Sequence, residues 1–193
     1  MKILVLYTTI DGNTEAVANA IAEKIGADVS KIVRDTKMRG YGIVDKTRAW
    51  IEVKFKKRPH IFPFKYDPRD YDLIFIGTPV WYDSYNPVYN TLFEVIKIYD
   101  RKIALFSTGE TDSQKCLDKF SKKLEDSVLL GRYHCIEPIW EDEDSETTKI
   151  LNEAADWAQG IADKAAEMIE QEEFERRKTI YGIGQDKAKK LKK

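Results

Sequence analysis

The sequence contains little cysteine and no long apolar run. Its two cysteines, Cys116 and Cys135, exclude a disulfide framework and any four-cysteine zinc or iron–sulfur site. No apolar stretch approaches the ~18–20 residues of a membrane span, and the run from Ile3 to Tyr7 is too short for a signal peptide. We therefore expect a soluble, cytoplasmic protein with no membrane span.

The sequence also carries almost no net charge. Its 33 acids oppose 32 bases, a formal net charge of −1, so bulk electrostatics favours neither nucleic acid nor a strongly basic partner. The charges are nevertheless segregated. Residues 1–140 carry 22 bases and 19 acids, residues 141–175 carry 2 bases and 13 acids, and residues 176–193 carry 8 bases and 1 acid. A hydrophobic content of 42% is enough for a sizeable core, which excludes a disordered or fibrous chain.

Short apolar strand patterns alternate with helical patterns along the chain. Ile3–Tyr7 is typical of a strand buried on both faces. From Asn13 onward, apolar residues recur every four positions up to Gly26, which is typical of a helix C-cap. Further strands are predicted at Asp28–Val33, Leu73–Gly77, Ile103–Phe106 and Tyr133–Ile139. Further helices are predicted at Asp45–Val53, Asn86–Tyr99, Ser113–Leu130 and Thr147–Glu173.

Strands that are separated by helices predict right-handed βαβ units and a parallel sheet covered on both faces. The sequence therefore predicts an α/β fold with one doubly wound, five-stranded parallel sheet. The segment from Arg34 to Asp72 is harder to interpret, because residues 34–58 carry nine bases and only three acids. Either it is a solvated face with core-filling aromatics, or it holds a specific anion site. We interpret three tryptophans as core residues: Trp50, Trp140 and Trp157.

The loop after the first strand is the first candidate for a binding site, because open parallel sheets bind ligands outside the carboxyl ends of their strands. Residues Tyr7 to Thr14 are rich in hydroxyl groups and lead into a helix. A helix N-terminus binds phosphate through unpaired N–H groups and its dipole, without Lys or Arg. The loop has neither Gly-Lys-Ser/Thr nor Gly-x-Gly-x-x-Gly, which argues against a nucleoside-triphosphate loop and an ordinary dinucleotide fold.

Three stretches resemble motifs of the flavodoxin family. Val5–Ala18 resembles the family signature, and Tyr71–Trp81 resembles its third strand and flavin-ring loop. Lys102–Glu110 is similar to its fourth strand and the flavin-facing loop that follows. The three motifs occur in the family's order. The resemblance implies the flavodoxin-like strand order 2-1-3-4-5 and a noncovalently bound FMN.

The resemblance also implies a role for each of three loops. The hydroxyls of Thr9 and Thr14, the amide of Asn13 and the backbone of residues 10–13 would hold the FMN phosphate. The second loop would lie along the isoalloxazine, with its tryptophan or the following tyrosine stacked on the ring, and the third would line the pyrimidine edge. We assign no catalytic side chain and no metal ligand, because the flavin would carry the chemistry. The implied cofactor-binding residues are Thr8, Thr9, Ile10, Asp11, Gly12, Asn13, Thr14, Thr78, Pro79, Val80, Trp81, Tyr82, Ser107, Thr108, Gly109 and Glu110.

Three features depart from the family pattern. Many flavodoxins have a glycine just after the loop tryptophan, whereas Tyr82, Asp83 and Ser84 follow Trp81 here. Non-glycine residues resist positive φ, so we do not expect the peptide flip by which the family stabilises its one-electron-reduced flavin. Asp11 places a carboxylate in the phosphate loop, so we expect its side chain to turn outward or to cap the helix. Flavodoxins that carry electrons are also usually acidic around the flavin, unlike residues 1–140 of this chain.

The last residues resemble one helix-hairpin-helix element. In such an element a Gly-hydrophobic-Gly turn, here Gly182 to Gly184, points N–H groups at a nucleic-acid phosphate, and a basic helix follows. A lysine-rich tail without such a role is the alternative interpretation. We therefore divide the chain into a flavodoxin-like FMN-binding domain, residues 1–175, and a basic tail, residues 176–193, which forms a short C-terminal helical extension.

Two functions are compatible with these patterns. The first is an FMN-binding redox protein that passes electrons between a reductant, either NAD(P)H or a redox protein, and an acceptor. Such a protein is either an oxidoreductase or a non-enzymatic electron carrier, and the sequence leaves both open. A homodimer is also compatible with the sequence. The alternative is a flavodoxin-like scaffold or redox sensor whose basic tail contacts nucleic acid weakly.

Overall fold

The structure, a computed structural model, describes residues 1–36, 38, 42–110, 114–136, 139 and 144–190. Its strands are β1 (Ile3–Tyr7), β2 (Asp28–Lys31), β3 (Leu73–Pro79), β4 (Lys102–Gly109) and β5 (Val128–Ile136). Neighbouring strands pair in parallel, in the order β2-β1-β3-β4-β5. The predicted doubly wound sheet with strand order 2-1-3-4-5 is confirmed.

Helices cover both faces of the sheet and bury its side chains. Successive residues of a strand point to opposite faces. Leu4 and Leu6 therefore pack in the cluster of α3 (Val88–Val95) and α4 (Gln114–Ser121), whereas Val5 and Tyr7 pack in the cluster of α1 (Asn13–Ile25) and α5 (Asp144–Lys190). Each face thus has its own apolar core. The helices are α1 (Asn13–Ile25), α2 (Ile43–Lys54), α3 (Val88–Val95), α4 (Gln114–Ser121) and α5 (Asp144–Lys190).

Glycines set both ends of α1. Gly12 precedes the helix with φ of 101°, a conformation that L side chains rarely adopt. Gly26 ends it in the left-handed region, and its N–H donates to the Ala22 carbonyl. The predicted C-cap at Gly26 is confirmed, and the helix begins directly behind the loop that follows β1.

The prediction of a helix from Ser113 to Leu130 is wrong beyond Ser121. Helical spacing continues through Leu124, but the last turn tightens because the Leu124 N–H donates to the Ser121 carbonyl. The next apolar residues then pair with β4, and Val128 lies opposite Lys102. β5 therefore starts five residues before the predicted Tyr133 and ends at Ile136. Tertiary pairing overrides the local helical pattern here.

The C-terminal residues continue α5. Its backbone is helical from Asp144 to Lys190, so Gly182 to Gly184 lie inside one helix. The turn that a helix-hairpin-helix element requires is absent from these described residues, and this expectation is wrong. Contact between the basic tail and nucleic acid stays a prediction, as does the division of the chain at residue 175.

The segment between β2 and β3 is built around an ion pair. Arg34 donates two hydrogen bonds to the Glu52 carboxylate of α2, at 2.8 and 3.1 Å, and both side chains are largely buried. Arg34 also forms an antiparallel bridge with Ile61, so the Pro-bearing stretch lies beside the end of β2. These contacts fix α2 next to the carboxyl edge of the sheet.

The three tryptophans predicted for the core have different outcomes. Trp157 packs edge-on against Phe75 and stacks on Tyr133, which confirms it as a core residue. Trp50 is 44% exposed, so the prediction for it is wrong. Trp140 lies outside the described residues. No helix among the described residues combines the length and the apolar character needed to cross a membrane.

We predict that Gly77→Ala destabilises the protein. A Cβ at this position of β3 would lie 2.1 Å from the Phe106 ring, so the core is overpacked at a cost of about 1–3 kcal/mol. Gly160→Ala on α5 is the matched control, because a Cβ there meets nothing within 4 Å and alanine favours helix by up to about 1 kcal/mol. Urea unfolding measures both. Equal effects of the two substitutions would contradict this packing.

We also predict that both thiols are unreactive in the folded protein. Burial raises the pKa of Cys116 and of Cys135 to about 12, so hardly any thiolate forms at a pH of about 8. Ellman's reagent should label neither thiol in buffer and both in denaturing urea. Rapid labelling of either thiol without denaturant would show that its burial is misassigned.

Candidate functional site

A cavity of about 560 Å³ opens at the carboxyl ends of β1, β3 and β4. Because the strands are parallel, the loops that leave them meet at this edge, where α2 closes one side. Its volume falls within the ordinary range for small-molecule sites. The cavity is lined by Ile10, Met38, Asp45, Lys46, Ala49, Pro79, Val80, Trp81, Tyr82, Asp83, Thr108, Gly109 and Glu110.

The loop between β1 and α1 is held by its own side chains. The Gly12 N–H donates to the Thr9 hydroxyl at 3.0 Å, and the Asn13 N–H donates to the Asp11 carboxylate at 3.1 Å. Two of the four backbone N–H groups that the resemblance assigns to a phosphate are therefore used inside the loop. Asp11 is exposed and bonds at the start of the helix, as expected for a carboxylate turned outward.

Two polar side chains at this loop act as acceptors and keep donor hydrogens, and a third pairs with a hydroxyl of β4. Thr9 accepts from Gly12, and the Asn13 side-chain oxygen accepts from the Ile139 N–H at 2.9 Å. The hydroxyls of Thr14 and Thr108 lie 2.8 Å apart, and only one of them can donate to the other. Among the described residues, one O–H of that pair, the Thr9 O–H and the Asn13 NH₂ have no acceptor. This donor set fits an anion.

A tyrosine–glutamate–lysine chain lies beside the same loop. Tyr7 donates to Glu15 at 2.7 Å, and Lys31 donates to the other Glu15 oxygen at 2.8 Å. Burial, followed by the Glu15 hydrogen bond, raises the pKa of Tyr7 well above its usual range. The Lys31 hydrogen bond lowers the pKa of Glu15. The Glu15 carboxylate is thus already neutralised by Lys31 at the start of α1.

The loop after β3 is anchored by Thr78. Its buried hydroxyl donates to the Pro79 carbonyl at 3.0 Å and accepts from the Asn86 N–H at 2.9 Å. Thr78 therefore positions the loop and does not line the cavity. Trp81 and Tyr82 do line it: the tryptophan is only 8% exposed, whereas the tyrosine is half exposed and donates to the Lys46 carbonyl of α2.

The turn after Trp81 adopts the backbone conformation that the sequence argued against. Tyr82 and Asp83 have φ of 48° and 56°, and Trp81 and Ser84 exchange backbone hydrogen bonds at 2.7 and 2.9 Å. This is the geometry of a two-residue hairpin turn with both central residues at positive φ. Two non-glycine residues thus do adopt positive φ here, and the expectation that the family's peptide flip is absent stays a prediction. The Tyr82 bond to the Lys46 carbonyl holds the turn, and Asp83 forms an exposed ion pair with Lys115 at 3.3 Å.

The loop after β4 approaches the β3 loop closely. A Cβ on Gly109 would lie 3.0 Å from the Val80 Cβ, so this position needs a very small residue. Val80 also donates its N–H to the Thr108 carbonyl at 2.8 Å. Glu110 is exposed at the rim, whereas the buried Ser107 hydroxyl lies 3.0 Å from the His134 Nδ1. Thr108 to Glu110 thus line the cavity, and Ser107 supports them.

The sequence did not assign to the site the side of the cavity that is formed by α2 and the residue Met38, which we call the α2 wall. Met38, Asp45, Lys46 and Ala49 line the cavity although no motif contains them, and Asp83 completes the turn. The sequence feature that pointed to these residues was the unusually long basic segment between β2 and β3. No group of three or more His, Cys, Asp or Glu residues in the described ranges is arranged to hold a metal ion.

Comparisons with known proteins agree with this geometry. The model of a family described as Flavodoxin matches residues 2–134, and no curated protein sequence matches significantly. The structure is similar to that of a flavoprotein in complex with FMN from Lactobacillus acidophilus NCFM, with a TM-score of 0.61, 23% identity, and coverage of 77% of this chain and 97% of that one.

Two further structures show the same fold. The NMR structure of the apo-form of the flavoprotein from Lactobacillus acidophilus NCFM has a TM-score of 0.55 and 25% identity, covering 77% of this chain and 95% of that one. Oxidised Flavodoxin 2 from Bacillus cereus has a TM-score of 0.52 and 19% identity, covering 85% of this chain and 99% of that one. The similarity thus extends well beyond the loops at the cavity.

We predict that Asp83→Gly stabilises the protein by up to about 1 kcal/mol, because glycine relieves the left-handed strain and an exposed ion pair contributes little. Ser84→Gly is the control: its φ is not positive, so glycine only adds chain entropy and lowers stability by roughly 0.5–1 kcal/mol. Thermal or urea unfolding compares the two. A loss of stability in both variants would contradict the strained turn.

Proposed function

This chain belongs to the flavodoxin family, and we propose that it binds FMN in the cavity at the carboxyl ends of β1, β3 and β4. When bound, FMN supplies reversible electron and hydride chemistry. The family membership and the FMN complex of the similar Lactobacillus flavoprotein support this proposal. The chain's own part is to hold the cofactor's phosphate, shape the ring site and limit the access of water.

The observation that carries the proposal is the donor set beside α1. The hydrogens of Thr9, Asn13 and the Thr14–Thr108 pair are directed to no acceptor among the described residues, at the positive end of a helix dipole. A phosphate monoester needs several such donors and no lysine. Gly12 allows close backbone approach at this point, because its φ of 101° excludes most side chains.

The cavity beside this donor set suits a flat aromatic ring. Trp81 and Tyr82 offer aromatic surface, and Val80 adds an aliphatic contact. Thr108 and Gly109 offer backbone and hydroxyl groups to the polar edge of such a ring. The ionisable groups that line the cavity are mostly acidic, with Lys46 against three carboxylates, Asp45, Asp83 and Glu110.

We further propose that the bound cofactor exchanges electrons with NAD(P)H or with a redox protein. Stopped-flow mixing of the FMN-loaded protein with NADH and with NADPH separates the two roles. Rapid bleaching of the flavin absorbance near ~450 nm supports an oxidoreductase. Absence of bleaching, in a protein that dithionite still reduces, supports a carrier that is served by a partner protein. Cytoplasmic localisation and homodimerisation stay predictions.

We predict that Asn13→Asp weakens FMN binding at least tenfold, which is about 1.4 kcal/mol. The carboxylate can still accept from Ile139, but it removes two donor hydrogens and repels the phosphate. Titrations of the apoprotein, followed by quenching of flavin fluorescence, measure the affinity. Riboflavin, which lacks the phosphate, should bind both proteins equally well.

Asp11→Asn is the matched control for this experiment. Its side-chain oxygen can still accept from the Asn13 N–H, and the loop loses a negative charge, so FMN affinity should stay equal or rise. An equal loss of riboflavin and FMN affinity in Asn13→Asp would place the phosphate elsewhere. Failure of the wild-type protein to bind FMN would refute the proposed function.

A further inference from the structure

Helix α2 turns its charged side toward the protein and its apolar side toward solvent. Its inward residues include Glu52, which is 6% exposed and pairs with Arg34, and Ala49, which lines the cavity. Large apolar residues occupy the opposite side at the i, i+7 spacing that defines one helix face. We name these the α2 outer face: Ile43, Val44, Trp50, Ile51 and the C-cap residue Phe55.

This exposure is extensive. Ile43 and Val44 are 85% and 80% exposed, and Phe55 is 61% exposed. Such contiguous apolar surface on a soluble domain marks an interaction site, because single exposed apolar residues are normal but grouped ones are costly to hydrate. Tryptophan and phenylalanine are also the residues that contribute most at protein interfaces.

Cations surround the outer face. Lys54, Lys56 and Lys57 are exposed, and no carboxylate among the described residues pairs with them. The Lys54 ammonium lies 4.4 Å from the centre of the Trp50 ring and 5.9 Å from that of Phe55, so a positive charge lies within the apolar surface itself. A complementary surface is therefore apolar and carries carboxylates.

The α2 outer face lies close to the cavity. The same helix lines the cavity through Asp45, Lys46 and Ala49, so a molecule on the outer face is separated from the site by one helix, roughly 10 Å in diameter. Tyr82 ties the helix to the cavity turn through the Lys46 carbonyl. A partner that docks here is thus held close to the proposed FMN.

We propose that the α2 outer face docks an electron-transfer protein whose own docking surface is apolar with an acidic rim. This inference rests on the proposed function, since the nearby FMN makes a redox protein the fitting partner. An anionic lipid surface also suits an apolar face with lysines at its edge, and the position of the face beside the proposed FMN is what favours a redox protein over it. A second copy of this chain is the other occupant that the experiment below distinguishes.

An acidic [2Fe–2S] ferredoxin is the probe. Its affinity for the FMN-loaded protein and for the apoprotein is measured by titration calorimetry at about 50 and about 300 mM salt. We expect measurable binding that weakens with salt, a loss of at least tenfold in affinity for Trp50→Ser, and a similar loss for Lys54→Glu at the lower salt. None of these residues lines the cavity.

Two variants control the experiment. Lys123→Glu makes the same charge change at an exposed lysine in the connection from α4 to the amino-terminal end of β5, away from the carboxyl edge of the sheet, and should alter the affinity less than twofold. Ile43→Ser removes an almost fully exposed side chain, so it keeps the test valid if Trp50→Ser unfolds, and it should also weaken binding. FMN affinity is measured for every variant.

The outcomes separate the two proposals. The docking surface alone is overturned if the protein binds FMN but does not bind ferredoxin. It is likewise overturned if ferredoxin binds with an affinity that the Trp50, Ile43 and Lys54 substitutions leave unchanged. Absent FMN binding overturns the proposed function, whatever the ferredoxin result. Binding to phosphatidylglycerol vesicles that Ile43→Ser abolishes assigns the face to a membrane, and a dimer that Ile43→Ser dissociates assigns it to a second copy. Either result overturns the proposal.

Discussion

The arrangement of the site depends on the contacts of Gly77 in β3. Because it has no side chain, the Phe106 ring of β4 packs directly against it, and its carbonyl accepts hydrogen bonds from the Thr8 N–H, at 3.2 Å, and from the Tyr89 hydroxyl. One residue thereby joins the start of the β1 loop, the end of β3 and helix α3. The loops that line the cavity leave the sheet from this point, so their spacing follows from the packing of one backbone segment.

Local sequence was sufficient to predict the parallel sheet and the loop after β1, whereas the strand order followed from the resemblance to flavodoxins. Continuous apolar strands, a glycine at each end of α1 and hydroxyls before it all act within a few residues, and the structure places them as expected. The sequence failed where distant contacts decide the outcome. Val128 joins β5 because it pairs with Lys102. Tyr82 and Asp83 adopt positive φ in a turn that is closed by the Trp81–Ser84 hydrogen bonds and by the Tyr82 bond to the Lys46 carbonyl.

The sequence predicted helix α2 but missed its place at the cavity, for a related reason. Its inward side is polar because it meets Arg34 and the cavity, and its outward side is apolar, so its pattern is the reverse of an ordinary surface helix. Periodicity identifies such a helix but not which face it buries. Because of this reversed pattern, one helix both closes the proposed FMN site and presents the proposed docking surface.

The most direct test of the central claim is an amide NMR titration of the ¹⁵N-labelled apoprotein with FMN. If FMN binds at the carboxyl ends of β1, β3 and β4, saturable shifts are expected in residues 9–14, 81–83 and 108–110, with little change at the amino-terminal end of β5. Shifts confined to other regions, or no shifts at FMN concentrations that saturate flavodoxin-like proteins, would contradict it.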